Sequence, residues 1–268
     1  MSSTLLPPVL LAGFGRMGSA MLAGWREQGI AAAVAVDPAM PPAPGPEVRV
    51  VAEAAAIPAV FRPAAVVLAV KPQNAAATLP LYARFAGDAV FLSIMAGRSI
   101  AGMRALLGEG AAVVRAMPNT PAAIRQGISV AVAGPAVSAG QRALCDRLLS
   151  AVGDVAWVAE EALLDPVTAV SGGGPAYVFL LAELLERAAV EQGIRPDLAR
   201  LLARRTVAGA GALLAASDED AAALRRAVTS PKGTTEQALA VLMAEPAWPA
   251  LLSRAIDAAT RRSCELAG

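Results

Sequence analysis

In the first part of the chain, short runs of apolar residues alternate with segments whose apolar positions recur at helical spacing. Pro8–Ala12, Ala33–Asp37, Ala65–Val70, Asp88–Ile94, Ala112–Ala116 and Ile128–Ala133 read as strands. Several are apolar at consecutive positions, the pattern of a strand buried on both faces and hence of a parallel sheet covered by helices. Between them, Arg16–Gln28 closed by Gly29, Gln73–Phe85, and Ser99–Leu107 closed by Gly108 read as helices, with Ser99 as an N-cap. The βαβ order implies right-handed crossovers. Ser138 and Gln141 spell a capping box that opens a helix running to about Val152, and Gly153 ends it before a last strand, Asp154–Val158.

After Glu160 the strand pattern stops. Pro175–Gln192, Pro196–Ala216, Glu219–Val228, Thr235–Ala244 and Ala247–Leu266 all carry helical periodicity. The expected organisation is therefore an α/β domain over 1–159 and an all-helical domain over 160–268. Within the second, Val207–Ala216 is almost entirely Ala, Gly and Leu, so its helix is apolar around most of its circumference and needs a partner to bury it. Pro38–Pro46 holds five prolines in nine residues and reads as an extended surface loop.

Composition narrows the chemistry. Hydrophobic residues make up 56% of the 268 positions and charged residues 17%, which argues against disorder. The uncharged stretches are broken by Gly and Pro and fall short of a membrane span, so no membrane partner is expected. With 23 basic and 22 acidic residues the net charge is +1, so no nucleic-acid partner is expected either. Met1–Gly15 lacks the basic start and cleavage site of a signal peptide, which points to the cytoplasm. Cys145 and Cys264 read as separate reduced thiols. The chain has no histidine, which excludes a Ser-His-Asp triad, a histidine general acid and His-ligated zinc. No metal is expected.

Gly13-Phe14-Gly15-Arg16-Met17-Gly18 is a G-x-G-x-x-G placed directly after a strand and opening a helix, the dinucleotide-binding pattern of Rossmann-type doubly wound folds. Gly13 permits the turn, Gly15 lets the backbone approach a pyrophosphate, and Gly18 allows close helix-to-sheet packing; the helix start offers N–H groups to phosphate. Asp37, ending the second strand, is placed to accept hydrogen bonds from the adenine ribose hydroxyls and to repel a 2′-phosphate. The alternative reading is a turn residue before Pro38. Lys71 lies at the same carboxyl edge, near a cofactor ribose or amide. The loop Pro38–Val48 has no Lys or Arg to pair with a 2′-phosphate, and only Arg49 is near in sequence, so NADH should serve at least as well as NADPH.

Further segments fall in a recognisable order: Val70-Lys71-Pro72, Ser93-Ile94-Met95-Ala96-Gly97, Ala116-Met117-Pro118-Asn119-Thr120-Pro121 with Gly127, Val170-Ser171-Gly172-Gly173-Gly174-Pro175-Ala176-Tyr177, and Thr229-Ser230-Pro231-Lys232-Gly233-Thr234-Thr235-Glu236. Together with the glycine hexamer they resemble the pyrroline-5-carboxylate reductase family over essentially the whole chain. Two positions depart from that family's pattern: Gly173 stands where serine is usual, and Lys232 where glycine is usual.

The resemblance implies NAD(P)H-dependent reduction of L-1-pyrroline-5-carboxylate to L-proline, the last step of proline biosynthesis. It also implies homodimers interlocked through the helical domain, which assemble further, commonly to decamers, with sites shared between subunits. Many members favour NADPH, in conflict with the reading of Asp37. The cofactor would be held by Gly13, Phe14, Gly15, Arg16, Met17, Gly18, Asp37, Val70, Lys71, Pro72, Ala96, Gly97, Pro118 and Asn119, and the substrate by Ser171, Gly172, Ser230, Pro231, Gly233, Thr234 and Thr235. Thr235 would be catalytic, its hydroxyl meeting the ring nitrogen. From the residues alone, Thr234 with Gln237 fits a capping box that presents the amides of Gly233, Thr234 and Thr235 to an anion.

Two other readings stay open. A β-hydroxyacid or imine dehydrogenase of the same plan usually carries a catalytic Lys or Asp on the long helix, whereas Pro175–Gln192 has no lysine and its acids, Glu183, Glu186 and Glu191, come late. A non-catalytic dinucleotide sensor would bind the cofactor without turnover.

Overall fold

The computed structural model describes residues 5–267; residues 1–4 of the leading segment and residue 268 of the helical region lie outside the described residues. The chain divides into two compact units, one running to Gly172 and resumed from Ala259, the other spanning Gly173–Ala258.

The first unit is built on an eight-stranded sheet of order β3-β2-β1-β4-β5-β6-β7-β8. The strands are β1 (Val9–Ala12), β2 (Ala33–Val36), β3 (Val48–Val51), β4 (Ala65–Leu68), β5 (Val90–Ser93), β6 (Val113–Met117), β7 (Gly127–Ala133) and β8 (Gly153–Trp157). All neighbours pair in parallel except β6 with β7. β1, β2, β4 and β5 are buried at every position, as their unbroken apolar runs require. Chain order reverses between β1 and β4, which opens a crevice at the carboxyl ends of these strands.

Helices cover both faces. Arg16–Gln28 (α1) and Ala139–Ser150 (α4) close one core around Leu11, Leu22, Trp25 and Leu149. The indole of Trp25 donates to the Leu148 carbonyl at 2.8 Å. A second core on the other face gathers Leu68, Tyr82, Phe91, Met103 and Leu107, under Ile100–Leu107 (α3). Ser99 caps α3 by accepting from the Gly102 amide at 3.1 Å, and the capping box of Ser138 and Gln141 is complete in both directions. Cys145 is buried and free, its thiol pushed up to about 12 by burial, and Cys264 is exposed and free.

Four local expectations need correction. β3 was not anticipated, because a four-residue strand interrupted by the exposed Arg49 has no apolar run to betray it. The segment Gln73–Phe85 is not one helix: a 3₁₀ turn at Pro72–Asn74, a single α turn at Ala75–Thr78 (α2) and 3₁₀ structure over Leu79–Phe85 replace it. Pro80 has no N–H to continue an α ladder. The helix α4 stops at Ser150, before Gly153, which instead opens β8 with φ +145°. Finally, helical structure begins well before Pro175. Leu164–Val167 (α5) passes into a π-helical turn, Thr168–Gly172, so that helix runs on from Glu161 to Glu191 over 31 residues. By length and apolar composition alone this run would suffice to cross a membrane, contrary to the expectation from its Gly and Pro content.

The second unit is helical: Gly174–Glu191 (α6), Pro196–Ala216 (α7), Ala221–Ala227 (α8), Thr234–Leu242 (α9) and most of Trp248–Ala267 (α10). Among its described residues the buried apolar side chains are Ala199 and Ala203, whereas Phe179, Leu213 and Val241 are 68%, 67% and 72% exposed. Within the unit, α6 and α7 flank a groove of about 810 Å³ whose lining mixes apolar side chains such as Val178, Phe179 and Val207 with charged ones such as Glu186, Arg187 and Arg200. A single copy of this unit therefore leaves its apolar faces uncovered.

Candidate active site

The crevice at the reversal point is a cleft of about 440 Å³ whose lining includes Gly13, Gly15, Asp37, Glu53, Lys71 and Tyr82. Its floor is the turn from β1 into α1. Gly13 has φ +96°, and a Cβ there would stand 2.6 Å from the Ala69 carbonyl oxygen on the far side of the switch. At Gly18 a Cβ would lie 2.4 Å from the Gly13 carbonyl, so α1 packs against its own turn. Around Gly15 there is open space for 4 Å, so the backbone faces the cleft, and the first-turn amides of α1 beyond it lack intrahelical acceptors. That combination, an open backbone cradle at a helix start, fits a dinucleotide pyrophosphate.

Asp37 does more locally than either reading of it required. Its Oδ2 accepts from the Phe14 amide at 2.9 Å and its Oδ1 from the Ala39 amide at 2.9 Å. The carboxylate thus ties the glycine turn to the end of β2 and forms the turn into Pro38, with lone pairs left on both oxygens for further donors. Arg49 is paired in register with Val34, short of the carboxyl edge, and its side chain is exposed. Glu53, Asn74, Thr78 and Tyr82 line the cleft without any motif to mark them. Glu53 follows β3, so recognising that strand is what would have found it. Burial pushes the Tyr82 phenol up to about 12, so it stays protonated.

The other edge loops are tied to one another. Arg98 donates from Nε to the Pro72 carbonyl at 3.0 Å, linking the segments after β4 and β5. Buried Ser93 accepts from the Met95 amide at 3.3 Å. Gly97, with φ +63°, has the Leu266 carbonyl 2.8 Å from where a Cβ would stand. Pro118 is buried, and the Asn119 side chain accepts from the Ile128 amide at 3.0 Å, closing the excursion between β6 and β7. Val70, Lys71, Pro72, Ala96, Gly97, Pro118 and Asn119 all follow the carboxyl ends of β4, β5 and β6, while Gly172 lies against Met117, its Cβ position 3.9 Å from the sulfur. The Ser171 hydroxyl is buried without a partner.

In the second unit, the loop before α9 differs from expectation. Gly233, not Thr234, is the N-cap, and no side chain caps the helix. Glu236 instead accepts from the Lys232 amide at 2.8 Å. Lys232 has φ +59°, the left-handed region that glycine adopts freely, which accounts for the glycine usual at this position. Gly173, the other departure, has φ −80° and imposes no such demand.

A doubly wound sheet, a glycine turn at its switch point and a carboxylate at the end of β2 together define a nicotinamide-dinucleotide oxidoreductase of the Rossmann class. The comparisons refine this. A family model for pyrroline-5-carboxylate reductase dimerisation matches residues 161–266. A pyrroline-5-carboxylate reductase of Pseudomonas aeruginosa is 41% identical over 272 residues, covering 97% of both chains. The solved pyrroline-5-carboxylate reductase of Coxiella burnetii superposes with a TM-score of 0.87 at 29% identity, covering 97% of this chain and 98% of that one. The Plasmodium falciparum pyrroline carboxylate reductase, solved with NADP bound, has the same fold, with a TM-score of 0.82 at 24% identity, 97% of this chain and 98% of that one. The chain belongs to the pyrroline-5-carboxylate reductase family. Its second unit is accordingly a dimerisation element, and self-association accounts for its uncovered apolar side chains.

Proposed function

We propose that this chain reduces L-1-pyrroline-5-carboxylate to L-proline with NAD(P)H, as the closing step of proline biosynthesis in the cytoplasm. The observation that carries the reading is 41% identity to a pyrroline-5-carboxylate reductase over 97% of both chains, joined to a cleft at the sheet's switch point. When bound, the cofactor supplies hydride. The α1 amides with Gly13, Gly15 and Gly18 hold the pyrophosphate, Asp37 the adenine ribose, and Lys71, Ala96, Gly97, Pro118 and Asn119 the nicotinamide half. Phe14, Arg16, Met17, Val70 and Pro72 complete that wall. Ser171, Gly172, Ser230, Pro231, Gly233 and Thr234 receive the substrate, and Thr235 meets its ring nitrogen. A protonated cyclic imine is already a strong electrophile, so the residues have mainly to orient it and exclude water, which suits a chain with no histidine. Oxidation of NADH on adding pyrroline-5-carboxylate tests the reading; binding without turnover would favour a sensor.

The cleft also bears on the choice of cofactor. Two carboxylates, Asp37 and Glu53, line it against one cation, Lys71. A 2′-phosphate beside Asp37 would meet like charge without a guanidinium to offset it. NADH is therefore expected to give a kcat/KM at least comparable with that of NADPH. A hundredfold preference for NADPH would remove Asp37 from the ribose position.

The division of labour follows residues 1–159 for the cofactor and 160–268 for dimerisation and substrate, with further association of dimers up to decamers. The apolar side of the 31-residue helical run meets protein in this arrangement, not lipid. Light scattering should give a dimer or a multiple of it; a fully active 27.0 kDa monomer would contradict shared sites.

A further inference from the structure

Arg115 is the least expected residue in the core of the first unit. It sits on β6 with its side chain 3% exposed, between positions that are otherwise apolar. Its Nη1 donates to Glu161 Oε1 at 2.9 Å, while Nε and Nη2 are buried with no hydrogen-bond partner. The same Glu161 oxygen accepts from the Ile100 amide at 2.8 Å. One carboxylate oxygen therefore joins β6, the first residue of α3, and the helical turn that leads into α5.

As a stabilising device this pair is poor. Burying a guanidinium carries a desolvation cost that is recovered only when its remaining donors are satisfied, and here two are not; well-packed apolar residues of similar volume commonly do as well or better. What the pair does supply is register. β6 ends at Met117 and runs directly into Pro118 and Asn119, α3 begins three residues after Gly97, and the helix from Glu161 leads to Ser171 and Gly172. The glycine turn, Asp37 and Lys71 take no part in it.

We propose that the Arg115–Glu161 pair is a positioning element for the reduction: it sets the loops after β5 and β6 against each other, so that the nicotinamide half of the cofactor is held at transfer geometry while the adenine half depends on separate residues. The proposal rests on the functional reading above. Neither residue touches the reacting atoms, so both act through the loops they hold.

Three variants test it: Arg115→Lys, Glu161→Gln, and the double variant Arg115→Met with Glu161→Leu, which removes both charges together and so leaves no unpaired ion to unfold the chain. The measurements are kcat at saturating substrates, the affinity for ADP-ribose, and the kinetic isotope effect with NADH deuterated at the transferred position. In the folded double variant kcat should fall about tenfold or more, the isotope effect should rise as hydride transfer becomes rate-limiting, and ADP-ribose affinity should stay within about twofold. Arg115→Lys, which keeps the charge, should recover part of kcat. Wild-type kcat in the folded double variant would overturn the proposal, as would equal losses of turnover and ADP-ribose binding, since a merely structural role predicts those. Failure of the underlying reading would look different: the unmodified chain would not oxidise NADH with pyrroline-5-carboxylate at all.

Discussion

Gly13→Ala is expected to weaken NAD(P)H binding by about a hundredfold, close to 2.7 kcal/mol of binding free energy. Two costs combine. An L side chain at φ +96° is strained, and its Cβ would stand 2.6 Å from the Ala69 carbonyl oxygen and 2.8 Å from the Ala69 carbonyl carbon. The atoms it would meet are all backbone of Ala69 and Val70, with no flexible side chain among them to yield, so the turn must move away from the end of β4. That movement reshapes the cleft at its floor and turns the α1 amides away from where they face it. Titration by fluorescence or calorimetry measures the loss, and circular dichroism should still report a folded chain. Affinity within threefold of the unmodified protein would show that the glycine turn does not set the pyrophosphate position.

The second large effect is expected at Thr235. Were Thr235 a helix cap, replacing it would cost about 0.5–2 kcal/mol of stability and little turnover. Gly233 is the N-cap and no side chain caps α9, while Thr235 itself is exposed within the single chain. Thr235→Ala should therefore leave the melting temperature nearly unchanged and lower kcat/KM by tenfold or more, each factor of ten corresponding to about 1.36 kcal/mol of lost transition-state stabilisation. Val241→Ala, at an exposed position of the same helix with no assigned role, serves as the control for a general disturbance of α9. A Thr235→Ala chain with unaltered kinetics would withdraw the hydroxyl from the reaction.

The parts of the fold that were legible share one property, that the signal and its cause lie close together in sequence. The glycine motif starts between a fully buried strand and a helix that begins at Arg16, and the caps at Ser99 and Ser138 each close within four consecutive residues. Where the deciding interaction is distant, the reading failed or was silent. β3 is a strand only because β2 lies beside it, with Arg49 tolerated at an exposed position. The glycine run after Ser171 looks like a loop, yet it continues a helix whose turn widens to the π form. Arg115 and Glu161 are 46 positions apart, and nothing near either announces the other. The candidate site divides in the same way: the cradle was visible as a motif, whereas Glu53 and Tyr82 reach the cleft through tertiary packing alone. The capping motif at Thr234 misled because the backbone turned one residue earlier, with Lys232 in a left-handed conformation.

The return of the chain to its first unit constrains the order in which the protein can be made. The sheet and the loops above it are complete in sequence by Gly172, but Ser263 bonds to the Asp165 carboxylate at 2.7 Å and the Leu266 carbonyl closes over Gly97. A ribosome delivers those residues only after the whole of Gly173–Ala258 has emerged. The nascent first unit must therefore wait with Asp165 and the Gly97 loop uncovered while a segment with almost no buried side chains of its own is synthesised. Release before residue 259 would leave Asp165 and the Gly97 loop uncovered together, unfinished surface of the kind that favours aggregation during synthesis.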